Sequence, residues 1–396
     1  MRLVHLSDLH LGYRQYQRLT PTGVNQREAD VAKTFAAAVD RIIELAPDAV
    51  LVAGDVFHTV RPTNQAILHA FLQFARLVHQ LPGAIVIIVA GNHDIPRAAE
   101  TGGILPLLGQ LGIHVADRAP RRLDFADHGL SVLAVPDIPG ARPSLTPDPS
   151  ARYNVLLLHG AVEGTLPAYI AASDRAAIEI SHEELGAAQW DYVALGHYHV
   201  YREIAPNAYY CGSLDYTSVN TWGELYEEHG AGIPGKGLIE RDLATGAHIF
   251  HPLPLSRPLI DLSSIAAGAL TAAEVDERIR QAVRTCRGGI EDKIVRLVIR
   301  DLPRHVAREL DHKAIRDYKR RALNFHLDVR RPETLHSHAS GAPGRRASLA
   351  DFVREKLQSR TIDRDIDRDE LVARGLAYLR EAETAAPPMP VLMTDA

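Results

Sequence analysis

Seven side chains able to hold a metal ion stand at the ends of short apolar runs. Asp8 and His10 follow Leu3-Val4-His5-Leu6, Asp55 follows Val50-Leu51-Val52-Ala53-Gly54, and Asn92 follows the run from Ile85 to Gly91. His159 closes Val155-Leu156-Leu157-Leu158, and His197 and His199 close the run from Tyr192 to Gly196. Four imidazoles, two carboxylates and one amide carbonyl suit Mn, Fe or Zn and differ from an all-oxygen Mg or Ca cage. Seven ligands exceed what one tetrahedral ion takes and match two ions sharing a carboxylate, an arrangement that activates water for hydrolysis. A lone strand-ending Asp is usually a cap and a lone buried His usually structural. The ordered set Asp-x-His, Gly-Asp, Gly-Asn-His-Asp, His-Gly and Gly-His-x-His argues against a purely structural origin.

For these residues to meet, the runs must be strands of a sheet buried on both faces, since such sheets gather terminal side chains at one edge. Between them, Glu28 to Leu45 carries a helical stripe of Val31, Phe35, Val39, Ile42 and Ile43 that ends at Pro47. Thr63 to Gln80 carries a second, stopped by Pro82-Gly83. Strands are expected at 49–53, 113–116, 130–135, 154–158 and 192–195, with a helical segment near Glu183 to Ala188. Antiparallel strands closing a second sheet are expected within the Gly-rich text from Tyr209 to Glu240. Pro136 to Pro149 reads as an exposed loop.

With these motifs in place, the sequence resembles the calcineurin-like metallophosphoesterases and, among them, the Mre11/SbcD nucleases. The narrower likeness rests on His5-Leu6-Ser7-Asp8-Leu9-His10-Leu11-Gly12-Tyr13-Arg14-Gln15-Tyr16, Gln26-Arg27-Glu28 and Gly54-Asp55-Val56-Phe57-His58. Motif similarity covers roughly residues 1–255, and beyond that it is one of layout. The resemblance implies an αββα, two-sheet metallophosphoesterase sandwich flanked by helices, with a small α+β capping domain and a C-terminal helical tail. The expected boundaries are 1–255 for the nuclease domain, 256–335 for the capping domain, 336–348 for a linker and 349–396 for a partner-binding tail.

The resemblance also implies roles. Asp8, His10 and His199 would hold one divalent ion and Asn92, His159 and His197 the other, with Asp55 bridging and Mn(2+) the expected metal. His93 matches the position that stabilises the transition state or protonates the leaving oxygen, and His58 the position that helps present a duplex end. Asp94 is expected to orient His93 as a hydrogen-bond acceptor, with a capping role as the alternative. His5, inside the first strand, is expected to be a core histidine. Tyr13, Arg14 and Tyr16, beside the site, are candidates to touch nucleic acid.

The 396 residues exceed one typical core, and 46% hydrophobic content is ordinary for a globular protein. Cys211 and Cys286 lie far apart, which indicates neither disulfides nor a thiolate zinc site. No apolar stretch approaches the roughly 20 residues that span a bilayer, and the chain opens on a strand without a basic and apolar leader. A cytoplasmic protein with no membrane segment is expected. The net charge of −5 gives no global sign of nucleic-acid binding, so a DNA-binding surface must be local. Pro303 to Arg331 holds nine Lys or Arg against four Asp or Glu, densest at Lys319, Arg320 and Arg321, which makes it the candidate DNA surface.

In the tail, Leu371, Val372, Leu376 and Leu379 form a stripe beyond a flexible linker. The resemblance implies that such helices grip a coiled-coil ATPase of the Rad50/SbcC type, and a homodimer is left open. The leading reading is a two-metal DNA nuclease, an exonuclease on ends with some endonuclease activity, acting in double-strand break repair. A phosphodiesterase or phosphatase acting on a nucleotide or phosphoprotein is the alternative. A DNA-end scaffold with vestigial catalysis is a third reading, disfavoured by the full ligand set.

Overall fold

A computed structural model describes residues 1–96, 102–140, 144–167, 175–332, 348–360 and 367–385. The described chain falls into two compact units, residues 1–332 and 333–396.

In the first unit the apolar runs become neighbouring strands. Strands β1 (Arg2–Leu6), β2 (Ala49–Ala53), β3 (Ile85–Val89) and β4 (His114–Ala116) run parallel. A second sheet has parallel strands β6 (Leu130–Val135), β7 (Tyr153–His159) and β8 (Tyr192–Gly196), edged by β5 (Arg121–Phe125), which sequence reasoning did not anticipate. Two-residue periodicity splits each strand between two layers. On β1, Val4 and Leu6 pack under the helices, while Leu3 joins Leu51, Ile87, Leu157 and Tyr192 between the sheets. A third cluster, with Leu156, Leu158, Val193 and Trp190, covers the far face of the second sheet. Each large apolar side chain so buried contributes roughly 1.5–3 kcal/mol, and this double-sided burial keeps the strand ends in fixed positions.

Helix α1 (Gln26–Leu45) starts where the Asn25 side chain accepts from the N–H groups of Arg27 and Glu28. It ends at Ala46, in the left-handed region at φ +44°, because Pro47 disfavours helical geometry in the residue before it. Helix α2 (Asn64–Gln80) is capped by Thr63, and Phe74 packs against Phe35 of α1 with ring centroids 5.2 Å apart.

The segment from Tyr209 to Glu240 departs from the expected antiparallel strands. Strand β9 (Ala208–Tyr210) joins the second sheet parallel to β8, and β10 (Gly237–Asp242) joins the first sheet antiparallel to β1. Between them lies a helix, Thr221–Gly230, begun by the Asn220 side chain accepting from the Gly223 N–H. Its Glu224, Leu225 and Glu228 are buried while Tyr226 is exposed. That pattern is helical, but the flanking glycines obscure it in the text.

Residues 259–329 include a three-stranded sheet, β11 (Leu259–Ala266), β12 (Ile294–Arg300) and β13 (Asn324–Val329), with all neighbours parallel. Helix Ala272–Thr285 crosses from the first strand to the second, and helices Arg304–Glu309 and His312–Arg321 from the second to the third. It has its own core of Val275, Ile279, Val295, Leu297 and Phe325. Arg257 pairs with Asp30 at 2.7 Å, and Arg18 donates to the carbonyls of Arg320 and Ala322, joining this sheet to the loop and helix that follow β1.

The second unit is a pair of helices, Leu349–Ser359 and Arg368–Ala385. They meet closely: a Cβ on Gly375 would overlap Leu357. Val372 is buried and Leu371, Leu376 and Leu379 half-buried, whereas Leu349, Phe352 and Tyr378 are exposed. Residues 336–347 of the expected linker, and the chain beyond 385, lie outside the described residues.

Candidate metal centre

Four of the seven expected ligands leave their strands through backbone conformations that side chains rarely adopt, with φ of +52° at Asp8, +45° at His10, +50° at Asp55 and +102° at His197. Such conformations cost of order 1–3 kcal/mol each and persist only where neighbours hold them. Here the neighbours are each other. The Asp8 N–H donates to the Gly54 carbonyl at 3.0 Å, the His10 N–H to the Asp55 carbonyl at 2.9 Å, and the His197 N–H to the Asp8 carboxylate at 3.1 and 3.2 Å. The two sheets close at this edge because Gly196 has no side chain; a Cβ there would overlap the Ala53 carbonyl oxygen. A Cβ at Gly91 would likewise overlap the Asp55 carboxylate.

These turns gather the seven side chains. His10 Nε2 lies 3.0 Å from His199 Nε2 and 3.7 Å from Asp55 Oδ2, and His199 Nε2 lies 4.0 Å from Asp8 Oδ1. On the other side, His159 Nε2 lies 3.6 Å from the same Asp55 Oδ2 and 3.1 Å from Asn92 Oδ1. The His197 ring meets that of His159 edge to face at 5.4 Å. Asp8, His10 and His199 form one group able to hold an ion, and Asp8, Asp55 and His159 another.

The Asp55 carboxylate tests whether cations fit. Its Oδ1 accepts from the His93 N–H at 2.9 Å, but Oδ2 is buried and has no hydrogen-bond partner among the described residues. A buried charged oxygen without a partner is costly. This one sits between the inward nitrogens of His10 and His159, where a cation on either side would satisfy it. The donor set, imidazoles with carboxylates and one amide, suits divalent Mn, Fe or Zn.

The electrostatics agree. Burial raises the Asp55 pKa, against the opposing pull of His159 and His93. Burial and the surrounding imidazoles hold His10 well below its usual value. Burial also disfavours charge on His159, but the Asp55 and Asp8 carboxylates outweigh it and push this ring up to about 9. Positive charge is therefore favoured at His159, beside the Asp55 and Asp8 carboxylates, and disfavoured on the His10 ring among its neighbouring imidazoles.

Contacts behind the ligands fix their rings. His159 Nδ1–H donates to the Ala53 carbonyl at 2.8 Å, which leaves the Nε2 lone pair facing the site. Behind His199 stands a carboxylate instead: Glu224 Oε1 faces Nδ1 at 3.4 Å, and Lys236 Nζ lies 2.5 Å from Glu224 Oε2 and 2.9 Å from Glu228 Oε1. Sequence reasoning missed these residues, because they sit in the stretch read as strands and no spacing links 224 to 236.

His93 and His58 lie at the mouth of the site, half-buried and stacked with centroids 5.3 Å apart. His93 Nδ1–H donates to the His58 carbonyl at 2.8 Å, so a neutral ring carries its lone pair on Nε2. Asp94 is placed differently from the expectation that it orients His93. Its carboxylate accepts from the N–H groups of Val56, Phe57 and Gly91 and clamps two ligand loops together. Its pKa rises to about 7, chiefly from burial and then from the Asp55 charge.

Tyr13 also departs from expectation. At 5% exposure it offers no surface to a base, and its ring packs edge to face on His58 at 5.0 Å. Arg14 is exposed but anchored to Glu28 at 2.7 Å, and Tyr16 is half-buried. Lys319, Arg320 and Arg321 end helix His312–Arg321 and are exposed, with Arg320 paired to Asp317 and Arg321 to Glu291.

The family model of the calcineurin-like phosphoesterases matches residues 1–201. Among characterised proteins, the chain is similar to the DNA double-strand break repair protein Mre11 of Methanopyrus kandleri, with 28% identity over 50% of this chain and 45% of that one. It is 24% identical to the Mre11 of Methanosarcina mazei over 80% of this chain and 55% of that one, and 28% identical to that of Thermoplasma acidophilum over 61% and 62%. The matched regions thus span about half the length of such relatives. Among the described residues, no helix is long and apolar enough to cross a membrane.

Proposed function

This chain belongs to the calcineurin-like phosphoesterase family, and from that premise we propose that it is a metal-dependent phosphodiester hydrolase acting on DNA. The observation that carries the reading is the buried Asp55 Oδ2, without a hydrogen-bond partner among the described residues and set between the inward nitrogens of His10 and His159. Asp8, His10 and His199 would hold one divalent ion, Asn92, His159 and His197 the other, and Asp55 both. Bound there, a pair of ions, Mn(2+) in this proposal, lowers the pKa of a water and neutralises phosphate charge. The chain's own part is to fix this geometry and manage the protons. His93, its Nδ1–H held by the His58 carbonyl, would present Nε2 to the leaving oxygen as general acid. His58 keeps that ring stacked in place.

DNA as substrate, and cleavage at its ends with some internal cutting in double-strand break repair, are supported by the similarity to proteins named for that repair. The exposed basic end of helix His312–Arg321 would hold the duplex. A coiled-coil ATPase of the Rad50/SbcC type is the proposed partner of the tail, engaging Leu349, Phe352 and Tyr378, which stay exposed on the helix pair. A cytoplasmic setting goes with this reading. The test is hydrolysis of linear and circular duplex DNA beside a small phosphodiester, with Mn(2+) added or removed by chelation. Metal-dependent cutting of linear duplex supports the proposal; turnover of the small diester alone would return the site to nucleotide or phosphoprotein substrates.

A further inference from the structure

The two sides of the ligand cluster are backed by different chemistry. Behind His159 is a neutral backbone carbonyl, whereas behind His199 is a buried carboxylate in a cluster of charges. Glu224, Glu228 and Lys236 are 0%, 1% and 3% exposed. Two carboxylates and one ammonium leave a net charge of −1 in a pocket without water access, and the Tyr216 hydroxyl donates to Glu228. Burying an excess negative charge is expensive unless something compensates it. Glu224 Oε1 and Glu228 Oε1 both lack a hydrogen-bond partner among the described residues, but Glu228 Oε1 lies 2.9 Å from the Lys236 ammonium, whereas Glu224 Oε1 faces His199 Nδ1, also without such a partner, at 3.4 Å. Lys236 locks this arrangement by also donating to the His199 carbonyl at 2.7 Å. Thus one ammonium fixes both the backbone of His199 and the carboxylate beneath its ring.

We infer that Glu224 is a positioning residue for the ion held by Asp8, His10 and His199, an inference that rests on the two-ion reading of the site. With its carboxylate facing Nδ1 at 3.4 Å it favours the tautomer that carries the proton on that nitrogen and leaves the Nε2 lone pair toward the site, and its charge makes Nε2 a stronger donor. At His159 the Nδ1 partner is the neutral Ala53 carbonyl instead of a carboxylate. The ion beside His199 therefore depends on Glu224, and the ion beside His159 does not.

The experiment compares E224Q with E228Q in the full-length chain. Each removes one negative charge from the same cluster and leaves Lys236 one carboxylate partner, so loss of charge or packing alone would affect both equally. Mn(2+) binding is followed by calorimetry and by paramagnetic resonance, independently of any nuclease assay. The expected result is that E224Q keeps one tight ion while the second weakens roughly 10–100-fold, and that E228Q keeps both at wild-type affinity. Should E224Q fail to fold, E224D keeps the charge, withdraws it from His199 by one methylene and is expected to show the same selective loss. Wild-type affinity for both ions in E224Q or E224D, or equal loss in E228Q, overturns the inference. The two readings separate because ions are counted without substrate: a wild-type chain that binds two ions and loses one in E224Q supports this inference even if DNA is left uncut.

Discussion

The edge where the two sheets meet and the basic end of helix His312–Arg321 both came forward as functional from sequence, yet they are built in opposite ways. At the sheet edge, Asp8, His10, Asp55, His159, His197 and His199 are all at most 5% exposed, and each ring or carboxylate is constrained by backbone turns and neighbouring side chains. At the helix end, Lys319, Arg320 and Arg321 are exposed, and the two arginines make pairs with Asp317 and Glu291 of the kind that contribute 0–1 kcal/mol. A site that places ions must be rigid, because a displacement of an ångström is costly. A surface that neutralises phosphates needs only charge nearby. Substitutions should therefore act steeply and selectively in the first region and gradually in the second.

The strongest test of that contrast is Asp55→Ala. It removes the carboxylate oxygen that lies 3.7 Å from His10 Nε2 and 3.6 Å from His159 Nε2, so metal analysis should find depleted ions and phosphodiester hydrolysis should fall below detection. Full activity in this variant would remove the rigid half of the comparison. His93→Ala should separate chemistry from metal binding, with both ions retained and turnover lowered roughly 10²–10⁴-fold. Loss of metal in that variant would make His93 a ligand.

A smaller effect should come from the layer between the sheets that holds the edge in place. His5 is fully buried against the Tyr192 hydroxyl at 3.0 Å, and burial lowers its pKa from 6.5 to about 3. Below pH 6.5 the unfolded chain takes up a proton that folded His5 refuses. Its contribution is thus complete above that pH and is lost as pH falls toward 3. Between pH 7 and 4.5 this amounts to about 2–3 kcal/mol. Urea unfolding at the two pH values should show that His5→Asn loses less stability on acidification than the wild-type chain does; parallel losses would show that His5 is not the group responsible.

The smallest effect is expected at the solvated surface. Reversing Lys319, Arg320 and Arg321 to Glu should weaken duplex binding and flatten its dependence on salt while leaving hydrolysis of a small phosphodiester intact. Unchanged affinity across salt concentrations would make the run an ordinary solvated helix end.

Much of the cluster of candidate ligands at the sheet edge was legible in the sequence. Strand-forming runs that end in Asp-x-His, Gly-Asp or Gly-His-x-His carry their meaning in local order, since a doubly buried strand can deliver its last residues only to the sheet edge. Helices α1 and α2 were legible for a similar reason, each having a periodic apolar stripe closed by Pro47 or Pro82. Tertiary structure alone decided the rest. Tyr13 looked like a surface aromatic in a polar loop, but it lies beneath His58 because Leu11 and His58 bridge the two loops at the site. Asp94 was legible as a neighbour of His93, yet its carboxylate is claimed by three backbone N–H groups from two different loops. Glu224 and Lys236 could not be read at all. Their partnership with His199 depends on helix Thr221–Gly230, which follows a strand of only three residues, packing against the segment that carries Tyr198 and His199. Periodicity reports which face of an element is buried; only the packing of elements decides which buried polar groups find each other.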